Sequence, residues 1–217
     1  MAVSDAALPE ARMKLIMELR RAHISDIEVL KAIERTPREL FVPAAFKEHA
    51  YENAALPIGK DQTISQPEVV ALMTQALDLN DRIKILEIGT GSGYQTVILS
   101  YLCRRVYTIE RHRPLLDEAE ARFTRLRRHN VTTRCGDGGL GWPEQAPFER
   151  ILVTAAAHDI PPILLDQLAV GGMMILPVGD DYAEQNLLKV TRTEGAPQIE
   201  NLGSVKFVPL VAGQPDD

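Results

Sequence analysis

The sequence predicts an α/β fold: a doubly wound, mostly parallel, Rossmann-like sheet with an added N-terminal helical layer. Three observations carry this expectation. Short β-rich runs at 85–88, 105–109, 131–135 and 150–155 are separated, for the most part, by helical patterns, as βαβ units require. The first run stops at Gly89, and glycines then recur at every second position, Gly89, Gly91 and Gly93. Behind them Val97, Ile98, Tyr101 and Leu102 begin a helical repeat. Strand, tight glycine turn and helix in that order place a nucleotide-like ligand at the carboxyl end of the first sheet strand.

In chain order, residues 10–22 carry apolar positions at Met13, Ile16, Met17 and Leu19, a helical pattern. Ser25 or Asp26 can cap a second helix with Ile27, Leu30 and Ile33 on one face, and Pro37 ends it. A proline-interrupted stretch follows through Tyr51 and Pro57. Ser65 then stands three residues before Glu68 with Pro67 between them, the spacing of a capping box at the head of a helix. Residues 1–80 thus read as a helical, substrate-side layer and 81–213 as the α/β core, one domain of 217 residues. Beyond the first four sheet strands, 173–176, 186–192 and 205–211 are expected as strands and 161–168 as a helix. Residues 214–217 are expected as a frayed tail.

Composition narrows the class. Hydrophobic residues make 45% and charged residues 25% of the chain, and the net charge is −6. That balance, without a long basic run, argues against a dedicated nucleic-acid binder. The basic residues Arg122, Arg125, Arg127, Arg128 and His129 follow the acids Asp117, Glu118 and Glu120, and read as a solvated helix face. Cys103 and Cys135 stand far apart, so neither a disulfide framework nor a metal site is implied. The first ten residues lack a signal-peptide pattern, and no apolar run reaches membrane-spanning length. The expectation is a cytoplasmic protein without a membrane or nucleic-acid partner.

The glycine spacing is specific. A dinucleotide fingerprint needs its third glycine where this chain has the bulky Tyr94. Glu87-x-Gly89-x-Gly91-x-Gly93 instead resembles motif I of the class I S-adenosylmethionine-dependent methyltransferases. A carboxylate suits the cationic amine of that cofactor. The next strand ends in Glu110, where a doubly wound site keeps the acid that binds ribose hydroxyls.

Further motifs extend the resemblance over nearly the whole chain. Arg38 through Pro43, Tyr51, Leu56-Pro57-Ile58-Gly59 and Gln62-Thr63-Ile64-Ser65-Gln66-Pro67 resemble the protein-L-isoaspartate O-methyltransferases. So do Gly136-Asp137-Gly138, Val153-Thr154-Ala155-Ala156, Gly171-Gly172, Leu176-Pro177-Val178-Gly179 and Phe207-Val208-Pro209-Leu210. Asn53 departs from the family's usual aspartate, Glu149 from the aspartate before the fourth strand, and His23 from a common glycine. The resemblance implies methyl transfer from S-adenosyl-L-methionine to the α-carboxylate of isoaspartyl proteins and peptides, by a monomer. It implies Ser65 as the active-site residue. Glu87, Gly89, Thr90, Gly91, Ser92, Gly93, Glu110, Asp137 and Gly138 are implied at the cofactor, and Ile58, Ile64, Gln66 and Val208 at the substrate.

Two rivals remain at this stage. A methyltransferase for nucleic acid or a small molecule is one, although Thr154-Ala155-Ala156-Ala157 offers no stacking aromatic after the fourth strand. A cofactor-binding module without catalysis is the other, and the retained serine argues against it. His49, His112, His129 and His158 have no evident nucleophile partner and read as surface or turn residues.

Overall fold

A computed structural model describes residues 7–213. The tail expected at 214–217 lies outside the described residues. The N-terminal layer holds α1 (Ala7–Arg21) and α2 (Ile27–Arg35), two short 3-10 turns, a hairpin of β1 (Leu56–Gly59) and β2 (Gln62–Ile64), and α3 (Pro67–Ala76). The core follows as β3 (Lys84–Ile88), α4 (Tyr94–Leu102), β4 (Arg105–Glu110), α5 (Arg113–Arg125), β5 (Val131–Cys135) and β6 (Phe148–Val153). It ends with α6 (Pro162–Gln167), β7 (Leu168–Val178), β8 (Gln185–Thr191) and β9 (Gln198–Val205).

The seven core strands lie in the order β5-β4-β3-β6-β7-β8-β9. The first five are parallel, and β8 and β9 return antiparallel as a meander. The order reverses between β3 and β6, which makes the topological switch point at which open α/β sheets bind ligands. Buried Ile85, Leu86 and Ile88 on β3 and Ile151, Leu152 and Val153 on β6 explain the near-continuous apolar runs, since both faces of a parallel sheet are covered. The N-terminal layer shares one apolar cluster with α4 and α5: Leu15, Leu19, Val29 and Ile33 join Tyr94, Val97, Ile98 and Phe123.

The caps sort the helix expectations. Asp26 caps α2, its carboxylate accepting the N–H groups of Glu28 at 2.9 Å and Val29 at 3.1 Å. Ser65 does not cap α3. Pro67 takes the first helical position, so the cap position falls on Gln66, whose side chain makes no cap bond. Asn53 does the work from outside: its Oδ1 accepts the Glu68 N–H at 3.0 Å, and its Nδ2 donates to Glu68 Oε2 at 2.7 Å. The Ser65–Glu68 capping box is therefore a correction, and the departure at Asn53 gains a role.

Three further expectations change. Residues 205–211 are not a strand, because β9 ends at Val205. Proline at 209 supplies no N–H for a ladder. The segment instead joins Ala156, whose N–H reaches Val208 O at 2.8 Å while Leu210 N–H returns to Ala156 O at 2.7 Å. Strand β9 itself was not expected, since an exposed edge strand of mostly polar residues lacks apolar alternation. The basic face of α5 is not wholly solvated. Arg122 donates to Leu40 O at 2.9 Å and to Ser92 O at 3.1 Å, tying the N-terminal layer to the glycine loop.

Candidate active site

Two cavities open at the carboxyl ends of the sheet strands and meet. The first, about 820 Å³ including its open mouth, lies over the switch point. Its floor is Gly89, Thr90, Gly91 and Ser92, and its sides are Glu110, Gly138 and Thr154. The second runs from Gln66 and Val69 at the head of α3 to Tyr182, Glu184 and Phe207. Thr63, Ser65 and Val208 line both. The Ser65 hydroxyl makes no hydrogen bond to any described residue, so the junction carries a free donor.

The first cavity is shaped by backbone. Gly89 adopts φ +95°, and a Cβ there would collide with the Thr154 hydroxyl, which itself donates to Ile88 O and Gly89 O at 2.9 Å. Gly93 adopts φ +87° as the cap of α4, and a Cβ would meet the Phe123 ring at 2.7 Å. These two glycines are required by neighbouring protein atoms. At Gly91 an added Cβ would meet only Ile58 Cδ1, at 3.5 Å, so the loop is open there. Glu110 holds the loop from the next strand: its Oε2 accepts Gly91 N–H at 2.8 Å and its Oε1 accepts His112 N–H at 2.9 Å. A carboxylate has about four acceptor positions, so Glu110 can still receive hydroxyl donors from the cleft that it lines.

Glu87 lies behind the loop, fully buried. Its Oε2 accepts from Thr96 at 2.5 Å and Thr108 at 2.6 Å, and Thr108 pairs with Thr90 at 2.7 Å. A chain of hydroxyls thus connects the carboxyl to the loop. Its Oε1 is buried without a partner. Burial pushes the Glu87 carboxyl up to about 8 against the two threonine hydrogen bonds, with a small further push from Glu110.

The sequence-expected residues do not all converge. Ile64, Ser65 and Val208 reach the first cavity, and Ser65, Gln66 and Val208 the second. Ile58 faces a separate depression with Phe41, Pro43 and Ser92, above the glycine loop. Gly138 lines the first cavity, and a Cβ there would collide with Ile88. Asp137 turns away to accept Gly139 N–H at 2.8 Å and Gly213 N–H at 2.6 Å. Thr154, Arg111 and Gln95 also line the cleft without having been expected as site residues. Of these, Thr154 stood in a motif already noted, at the end of the strand beside the glycine loop. His49 and His158 pair at the surface with Glu52 and Asp181.

A doubly wound sheet with a terminal acid on the second strand, and a glycine loop with Glu87 before it and Tyr94 in place of the dinucleotide pattern's third glycine, fits a class I methyltransferase fold. The family profile described as protein-L-isoaspartate(D-aspartate) O-methyltransferase matches residues 10–215. A protein-L-isoaspartate O-methyltransferase of Rhodospirillum rubrum is 64% identical over 211 residues, 96% of each chain. One from Paramagnetospirillum magneticum is 59% identical over 94% of this chain and 96% of its own. Among solved structures, a protein-L-isoaspartate O-methyltransferase superposes with a TM-score of 0.82 at 28% identity, covering 91% of this chain and 65% of its own. A Plasmodium falciparum structure described as a putative member, in complex with S-adenosyl-L-homocysteine, gives 0.79 at 26% identity, covering 91% and 97%. The chain belongs to the protein-L-isoaspartate O-methyltransferase family.

Proposed function

We propose that this chain methylates the free α-carboxylate of L-isoaspartyl residues in damaged proteins and peptides, initiating their repair, with S-adenosyl-L-methionine as methyl donor. The observation that carries the reading is the junction of the two cavities at Thr63, Ser65 and Val208. One cavity is a glycine-floored cleft beside a ribose-type acid. The other is open enough for a peptide. A methyl group passes between their occupants only where they touch.

The residues fit the cofactor. The loop is open at Gly91, Glu110 has acceptor capacity left in the cleft, and the buried Glu87 Oε1 lacks a partner. Gly89 to Gly93 would hold the amino acid end and Glu110 the ribose, with Gly138 at the base. Bound there, the sulfonium supplies an electrophilic methyl group. Asp137 acts by fixing the turn that carries Gly138, and Glu87 by stiffening the loop through Thr108 and Thr90.

No general base is needed, because a free α-carboxyl has a pKa of about 3.5 and is ionised at neutral pH. The Ser65 hydroxyl donates to one carboxylate oxygen and orients the other. Ile64 and Val208 exclude water from the junction, and Gln66 stands on the peptide side. Alignment and water exclusion supply most of the acceleration. Ile58 acts indirectly, by covering the glycine loop.

We read residues 1–217 as one methyltransferase unit, monomeric and cytoplasmic, with protein substrates and neither nucleic acid nor membrane as partner. The acidic net charge supports this, and no described helix is long and apolar enough to cross a membrane. The test is single-turnover methylation of an isoaspartyl peptide beside its aspartyl isomer. Transfer to the isoaspartyl form alone is expected. Transfer to neither, with cofactor bound, overturns the assignment.

A further inference from the structure

Arg38 is fully buried, an unusual place for a guanidinium. Its Nη2 donates to the Ser65 carbonyl at 2.8 Å and approaches the Ala54 carbonyl at 3.5 Å. Its guanidinium carbon stands 4.6 Å from the centroid of the Tyr94 ring. Nε and Nη1 have no partner, and no carboxylate of a described residue lies within ion-pair distance. Burying an unpaired cation is costly, and an apolar side chain of similar volume would serve packing alone better. The retained contacts link two places. Ser65 belongs to the segment at the cavity junction, and Tyr94, the first residue of α4, follows the glycine loop and lines the first cavity. The ring of Phe41 also packs on Tyr94, edge to face, with centroids 5.4 Å apart.

We propose that Arg38 is a positioning residue for methyl transfer: it clamps the Ser65 main chain against Tyr94 and so sets the distance between the serine hydroxyl and the glycine loop. The inference rests on the role of Ser65 given above. Arg38 lines neither cavity; of the two residues it touches that do, Ser65 carries the hydroxyl at the junction, and Arg38 acts through it. A planar fork can hold a carbonyl at one edge while its face lies on a ring, which an ammonium cannot do.

A double-mutant cycle tests this on the full chain. Arg38→Met and Arg38→Lys are made in the wild-type and Ser65→Ala backgrounds. Turnover of an isoaspartyl peptide is measured at saturating cofactor, and cofactor affinity by calorimetry. With Ser65 present, Arg38→Met is expected to lower kcat roughly tenfold to a hundredfold, as displacement of a positioned group does. Arg38→Lys should recover part of that loss. In the Ser65→Ala background the same changes should cost less than about twofold, because a group acting through its neighbour is not additive with it. Cofactor affinity should stay within about twofold in every variant, since the loop contacts remain.

An equal loss of kcat in both backgrounds, or no loss in either, overturns the positioning role. If Arg38→Met does not fold, Arg38→Gln replaces it in the same cycle, and full activity of both Arg38→Gln and Arg38→Lys overturns the proposal. Failure of wild-type enzyme to methylate the peptide strikes the assigned reaction instead, which keeps the two failures apart.

Discussion

The two halves of the site are built by different means. On the cofactor side the cleft is made by main chain at the ends of β3 and β4, and its carboxylates are anchored by the protein itself. Glu110 accepts two backbone N–H groups, and Glu87 anchors a run of three threonines. On the substrate side, contacts from distant segments hold main chain in place: the Arg38 side chain on the Ser65 carbonyl, the Asn53 side chain on the Glu68 N–H, and the main chain of 208–210 on that of Ala156. On the proposed function the first half takes a constant ligand and is held by the protein's own contacts. The second would take variable peptides, and its Ser65 hydroxyl bonds no described residue. Damage to the first should therefore appear in affinity and stability, and damage to the second in turnover.

Ser65→Ala is the largest test of that division. The serine hydroxyl neither caps α3 nor bonds any described residue, and the Arg38 contact goes to the carbonyl that alanine keeps, so stability should barely change. Turnover should fall by about tenfold to a thousandfold through loss of one positioned hydrogen bond, leaving activity from alignment and desolvation. Cofactor affinity should stay as it was. Single-turnover methylation by folded, cofactor-saturated variant is the measurement. A wild-type rate would remove the reason for placing the chemistry at the junction.

Glu87→Gln probes the rigid half through pH. The unfolded carboxyl titrates near 4.5 and the folded one near 8. Between those values the folded state holds a proton that the unfolded state has lost, so this group's contribution to stability falls as pH rises through the window. At about 1.4 kcal/mol per pKa unit, the accumulated penalty above pH 8 is several kcal/mol at most. Glutamine cannot ionise, and its variant should lack this slope. Thermal melts of both proteins from pH 5 to 8.5 supply the comparison. Parallel curves would mean that Glu87 titrates normally.

Glu110→Ala should weaken cofactor binding by about tenfold to a hundredfold, the worth of a charge-assisted hydrogen bond. Its effect on kcat at saturating cofactor should be small, because the contact persists from ground state to transition state. Calorimetric affinity beside saturated turnover separates the two. An unchanged affinity would move Glu110 out of the cofactor half and leave it only the Gly91 and His112 contacts.

The same division explains what the sequence disclosed. The glycine loop and Glu110 were legible because a strand-turn-helix unit is local, and its acid follows at a set distance on the next strand. The strands β3 and β6 were legible as buried apolar runs, and β4 and β5 only as β-rich runs, β5 with no fully buried residue. The glycines' reasons were only partly legible: Gly93 makes room for Phe123 on α5, thirty residues away, and no local pattern reports that. On the substrate side the motif residues could be matched but not assembled. Asn53 capping α3, Arg122 reaching Leu40, and 208–210 joining Ala156 beyond the end of β6 all depend on tertiary partners. Pro57 and Pro209 hid a hairpin strand and broke an expected one.

Asn53→Asp is the smallest test and the most direct one of the substrate-side clamp. The amide now accepts one N–H and donates to the Glu68 carboxylate at 2.7 Å. An aspartate keeps the acceptor, and its charge near the first turn of α3 gains about 0.3–1 kcal/mol from the helix dipole. Against that, it loses a hydrogen bond to a charged group, worth about 1.5–3 kcal/mol, and sets two carboxylates in contact. The net expectation is a loss of about 1–2 kcal/mol at pH 7, or roughly 2–4 °C in Tm for each kcal/mol in a chain of this size. The pair would raise the pKa of one of its members, so acidification should restore a donor proton and shrink the difference from wild type as pH falls toward 5. Asn53→Ala separates charge from capping: it should cost a similar amount but show no recovery at low pH. The helix start also carries Gln66, so both variants should raise KM for peptide more than they change cofactor affinity. Equal melting temperatures for all three proteins at pH 7 would show that α3 begins where it does through Pro67 alone, without help from Asn53.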